Sequence, residues 1–158
     1  MSEQGLPRHM GSPLYFEDLR VGQRFVSREH ALDADQIVAF ARQFDPQPFH
    51  LDPEAARQTF FRSLVASGWH TAAISMRLLV ECGLSISGGL IGAGGELSWP
   101  RPTYPDAVLH VECEVIELRR MRSKADRAIA TIRSETHNQH GEIVQVFIGR
   151  VVVPLREP

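Results

Sequence analysis

His70-Thr-Ala-Ala-Ile-Ser-Met-Arg-Leu-Leu-Val-Glu-Cys-Gly-Leu84 is apolar or small on nearly every side, with Arg77 and Glu81 its only charged residues. A surface helix carries a broad polar face, so a helix without one belongs in the interior. The stretch therefore predicts a central helix that starts near Ser67-Gly68 and ends at Gly83. After it comes Ser85-Ile-Ser-Gly-Gly-Leu-Ile-Gly-Ala-Gly-Gly95, whose glycines leave the backbone accessible, and then four β-like runs at 91–99, 108–118, 128–136 and 143–153. Leu109, Val111, Cys113 and Val115 alternate as in a half-buried strand, and the slip of phase to Ile116 and Leu118 predicts a bulge. His140-Gly141 is a tight-turn sequence between the last two runs.

Upstream, residues 24–31 favour a first strand. Asp33 followed three residues later by Gln36 resembles a capping box, and Ile37, Phe40, Ala41 and Phe44 recur at helical spacing behind it. That helix should stop at Phe44, because Pro46 keeps Asp45 out of the helical region. A further short helix is expected from Pro53 through Glu54-Ala-Ala-Arg-Gln58, carrying Phe60 and Phe61 back toward the core. The order is a strand, a helical block with one buried helix, and an antiparallel meander, which is an α+β pattern. Residues 1–12 show no periodicity and read as a flexible N-terminal tail, leaving 13–158 as a single domain.

At 158 residues, 43% hydrophobic and 23% charged, the chain has the composition of one globular domain with a closed core. A net charge of −2 gives no bulk attraction for nucleic acid or an anionic membrane, and neither is expected as a partner. No apolar run approaches the roughly 18 residues of a membrane span. Cys82 and Cys113 are too few for a disulfide framework and read as small buried hydrophobes, so a cytoplasmic location is expected. The seven histidines form no zinc-type spacing.

The chemistry-bearing stretch is Asp45-Pro-Gln-Pro-Phe-His50. Two prolines stiffen a loop that carries a carboxylate and an imidazole five residues apart, and acid–base catalysis needs two such groups in fixed mutual geometry. An Asp-Pro pair is also an ordinary turn former, and a loop histidine is often a simple hydrogen-bond donor. Trp69 and His70 flank Gly68; first-turn helix packing suits His70, while Trp69 reads equally as packing or pocket wall. Phe49, Phe60 and Phe61 read as core rather than as an acyl tunnel. Arg119-Arg-Met-Arg-Ser-Lys-Ala-Asp-Arg127 is the one basic cluster, either a solvated hairpin connection or a partner for the phosphates of a coenzyme A or carrier-protein arm.

Taken together, Asp45-Pro-Gln-Pro-Phe-His50, the Ser67-Gly68 step, the buried helix, Pro100-Arg-Pro and Asn138-Gln-His-Gly141 make residues 14–153 resemble the MaoC-like dehydratases. That family includes the (R)-specific enoyl-CoA hydratases and has the hotdog fold, an antiparallel β-sheet wrapped around a long central helix. The resemblance implies a hydro-lyase that adds water to an enoyl thioester or removes it from a 3-hydroxyacyl thioester. It further implies that Asp45 and His50 activate the water and that the Gly68 amide hydrogen-bonds the thioester carbonyl. No cofactor or metal is implied beyond the coenzyme A or acyl-carrier thioester itself, and a homodimer or dimer of dimers is the expected assembly. Three departures stand out: Gln47 where Asn is usual, Ser67 where many members have His, and Pro105-Asp106 in place of Pro-Gly-Asp. Two rivals share the fold. A thioesterase of this fold often carries its carboxylate on the central helix, where Glu81, late in the helix and far from Gly68, is the only candidate; a non-catalytic acyl-thioester-binding module needs none.

Overall fold

The computed structural model describes residues 11–157, so the expected tail lies outside the described residues except for Gly11 and Ser12. Six strands form one antiparallel sheet: β1 (Arg24–Val26), β2 (His30–Ala31), β3 (Ile91–Ser98), β4 (Val108–Arg120), β5 (Arg127–His137) and β6 (Ile143–Pro154). Their order is β1-β4-β5-β6-β3, with β2 also on β4. Four helices precede the meander: α1 (Ala34–Phe44), α2 (Pro48–Leu51), α3 (Pro53–Ala56) and α4 (Gly68–Glu81). The sheet curls around α4 in the hotdog arrangement.

The helix is held by its inward residues. Ile74, Leu78 and Leu79 pack with Leu109, Val111, Cys113, Ala130 and Ile132 in the main core cluster. Polar contacts also anchor the helix: the Ser75 hydroxyl lies 2.6 Å from that of Thr136 on β5, and the Thr71 hydroxyl 3.3 Å from that of Thr103. Contrary to the all-round burial expected of α4, its outer stripe of Trp69, Ala73, Met76 and Arg77 is exposed.

The expected first strand is in fact two. Val26 pairs with Glu112 and His30 with Leu109, four residues against three, so the chain gains one residue and breaks into β1 and β2. The bulge expected in β4 is present: the register with β5 shifts between Val115 and Glu117, leaving Ile116 extra. Only half of the capping box forms. Asp33 accepts from the Gln36 N–H at 2.8 Å, while the Gln36 side chain turns away to the Ala31 carbonyl and His30. At the β5–β6 turn Asn138 Oδ1 accepts the N–H groups of His140 and Glu142, and Gly141 takes φ +74°.

His70 bears out the packing reading. Its ring stacks on Phe40 at 4.6 Å, and its Nδ1 is buried without a hydrogen-bond partner. Burial, with a smaller contribution from the charge of His30, pushes its pKa down to about 4. The unfolded chain therefore takes up a proton below about pH 6.5 that the folded chain refuses until about pH 4. Stability should fall as pH drops through that window. In urea titrations, lowering the pH from 7 to 5 should cost the wild type on the order of 1–2 kcal/mol more than His70→Phe; equal pH slopes for the two would contradict this.

Candidate active site

Asp45 and His50 converge, though not on the extended loop expected. Asp45 caps the C-terminus of α1, its N–H donating to the Ala41 carbonyl at 2.9 Å, and Gln47 is extended at φ −101°, ψ 148°. Pro48 then starts α2, so His50 sits on a helical turn. That turn rotates the imidazole back toward the carboxylate. Asp45 Oδ2 lies 3.3 Å from His50 Nε2.

The other imidazole nitrogen fixes the tautomer. Nδ1 is 2.6 Å from the Val65 carbonyl oxygen, which can only accept, so Nδ1 carries a proton. In neutral His50 the Nε2 lone pair therefore faces a carboxylate oxygen. Both atoms point into the same corner, where a single polar hydrogen can reach either of them. His50 is buried and Asp45 half-buried, so the corner is largely screened from solvent.

Ser67 anchors this corner. It is fully buried; its hydroxyl donates to Asp45 Oδ2 at 2.7 Å and accepts the Trp69 N–H at 3.2 Å, capping α4. Gln47, whose extra methylene departs from the family pattern, donates its amide to Asp45 Oδ1 at 2.6 Å. Burial pushes the Asp45 carboxyl up, but the Ser67 hydroxyl, the Gln47 amide and His50 together outweigh it and hold the group below its ordinary range. The carboxylate is kept ionised.

Beside the pair opens a cavity of about 390 Å³ whose lining includes His50, Gly68, Phe49, Phe61, Trp99 and Thr103. Phe49, Phe60 and Phe61, expected in the core, lie at its wall, with Phe60 93% exposed. Gly68 opens α4, so its N–H has no acceptor within the helix. Glycine is required there for a reason the sequence did not reveal. A Cβ at position 68 would lie 2.7 Å from Trp99 Cε2, so the indole, not only a ligand, needs the missing side chain. Trp99 Nε1 donates to Gln145 at 3.0 Å, and its ring meets Trp69 edge-on at 5.3 Å. Trp69 is outside the lining. Trp99 had read merely as the end of a strand, and the only sequence hint to its place is a tryptophan directly before Pro100.

Glu81 is far from this site. It ends α4, thirteen residues from Gly68 and so about 20 Å along the axis, and it is bound by Arg28 at 2.6 Å and Arg77 at 3.1 Å. Among the described residues no group of three or more His, Cys, Asp or Glu is arranged to hold a metal, and no helix is long and apolar enough to cross a membrane.

An antiparallel sheet wrapped around one buried helix is the fold of a family that includes dehydratases. The chain belongs to that family, the MaoC-like domain proteins, matching over residues 18–138. The crystal structure of a MaoC-like dehydratase from Rhodospirillum rubrum aligns with a TM-score of 0.88 at 56% identity, over 92% of this chain and 99% of that one. An uncharacterized Bacillus subtilis protein, YdeM, is 34% identical over 143 residues, 89% of this chain and 97% of its own. A 3-hydroxybutyryl-CoA dehydratase of Methylorubrum extorquens is 32% identical over 114 residues, covering 71% of this chain and 70% of its own.

Ser67→Ala removes one of the hydrogen bonds that hold the Asp45 carboxylate ionised. Its carboxyl titration, followed by carbon NMR, should move upward relative to the wild type, whereas an unchanged midpoint would show that Ser67 acts only as a helix cap.

Proposed function

We propose that the protein hydrates enoyl thioesters, or dehydrates 3-hydroxyacyl thioesters, in the manner of the (R)-specific hydratases, with Asp45 and His50 as the acid–base pair. The observation that carries this reading is the 3.3 Å approach of Asp45 Oδ2 and His50 Nε2 at the wall of a cavity that also reaches Gly68. Water held by both groups attacks the β-carbon as one of its protons passes to the pair. The electrons of the double bond move toward the thioester oxygen, where the Gly68 N–H and the positive end of α4 stabilise the developing enolate. Returning the proton to the α-carbon completes the addition, and dehydration runs the same steps backward.

The thioesterase reading is less well supported, because both oxygens of Glu81 are engaged by arginines far from Gly68. A purely binding role would leave the buried Ser67–Asp45–His50 array without a purpose. Asp45→Asn and His50→Ala should each lower the loss of enoyl-thioester absorbance about 100- to 10,000-fold while circular dichroism stays native. A thiol-trapping reagent should register no free thiol. Wild-type turnover in both variants would refute the pair, and stoichiometric thiol release would turn the assignment to a thioesterase.

We also propose a homodimer. β3 is an edge strand exposed along nearly its whole length, and the exposed Trp69 and Met76 stripe of α4 adds apolar surface. Antiparallel pairing of β3 with its copy satisfies the open backbone groups. Light scattering after size exclusion should give twice the 17.7 kDa chain mass, and a monomer at micromolar concentration would count against it.

A further inference from the structure

The cavity beside His50 is bounded along α4 by Gly68 and Thr71, and Trp99 forms part of the same wall. A second, smaller cavity of about 110 Å³ lies further along the helix. It begins at Ala72, one turn past Gly68, and continues to Leu79, with Leu97, Gln145 and Phe147 on the sheet side. Leu97 pairs with Phe147 across β3 and β6. Trp99 and Gln145 each stand two residues from that pair, in the same direction along the antiparallel ladder, and therefore form its next rung on the same face. The indole thus lines the first cavity while it is bonded to a wall of the second.

Trp99 is held there from both sides. Its N–H donates to Gln145 at 3.0 Å, and Gln145 is buried, so releasing the indole would strand a polar atom away from water. Toward α4, three ring carbons lie 2.7 to 2.9 Å from where a Cβ of residue 68 would sit, which leaves no gap against the helix head. The ring is nonetheless 40% exposed, and Phe61, Val65 and Pro102 share its apolar wall. An apolar occupant of the first cavity gains by covering that wall. A carbonyl held by the Gly68 N–H lies beside the ring, so an acyl chain directed along α4 meets the indole within its first few carbons.

We propose that Trp99 is the specificity-determining partition of this protein: its indole closes the second cavity off from the first and restricts the substrate to a short acyl group. The inference rests on the acyl-thioester reading for its substrate. A short chain ends against the ring, whereas a longer one needs the space that the ring occupies. Each methylene moved from water into an apolar site is worth about fourfold, so opening the partition to a few methylenes changes discrimination by at least about 10-fold. The wild type should favour crotonyl-CoA over trans-2-decenoyl-CoA in kcat/KM by at least about 10-fold, and Trp99→Ala should raise the decenoyl-to-crotonyl ratio by a similar factor. The ratio cancels any inactive fraction of the variant. Trp99→Phe, smaller and without an N–H for Gln145, should move the ratio the same way by less, and it carries the test if Trp99→Ala fails to fold. A wild type that takes both thioesters equally would overturn the partition, as would variants that lose both activities alike and keep the wild-type ratio. Calorimetry in the Asp45→Asn background reads the same ratio as binding without turnover. If the wild type turns over neither thioester, a shifted binding ratio keeps the partition and rejects the hydratase, while an unshifted one rejects both.

Discussion

The Asp45 carboxylate joins the two halves of the site. One of its oxygens takes the Ser67 hydroxyl at the head of α4 and faces His50, while the other takes the Gln47 amide. Ser67 is at once the cap of the central helix and a donor to the Asp45 carboxylate. The position of the buried helix and the position of the carboxylate are thereby one constraint. Stripped of these donors, the half-buried carboxylate would be easier to protonate, and the corner would lose its geometry.

The hydrogen bond from His50 Nδ1 to the Val65 carbonyl has a matching role for the imidazole. It commits one nitrogen to the scaffold and leaves the other facing Asp45, as a second partner does for histidines elsewhere. Val65 is in turn held by its N–H on the Phe49 carbonyl, so the segment entering α4 and the turn bearing His50 are stitched together from both sides. Neither donor nor acceptor in this corner depends on a long flexible side chain except Gln47.

Much of this was readable from the residues. Helical periodicity located α1 and its end at Phe44, the missing polar face located α4, and the slip from Val115 to Ile116 located the bulge. Each is a local pattern imposed by backbone geometry. The misreadings depend on tertiary packing. α2 was read as loop because its four residues are too few to show a period, and its proline starts the turn rather than preventing it. Phe60 and Phe61 were assigned to the core because an aromatic at a cavity wall has the same sequence signature as one inside. Gln47 was recognised as a replacement, but only coordinates reveal that its longer reach ends on Asp45 itself. The place of Trp99 against Gly68 joins residues thirty-one positions apart, and no local pattern encodes it.

That last contact ties two sites of the chain into a single evolutionary unit. A methyl group at 68 and a full indole at 99 cannot coexist without displacement of the ring from its bond to Gln145. Sequence drift at one site is therefore conditional on the other: a lineage that trims the tryptophan gains freedom at the helix head, while one that keeps it inherits an obligatory glycine.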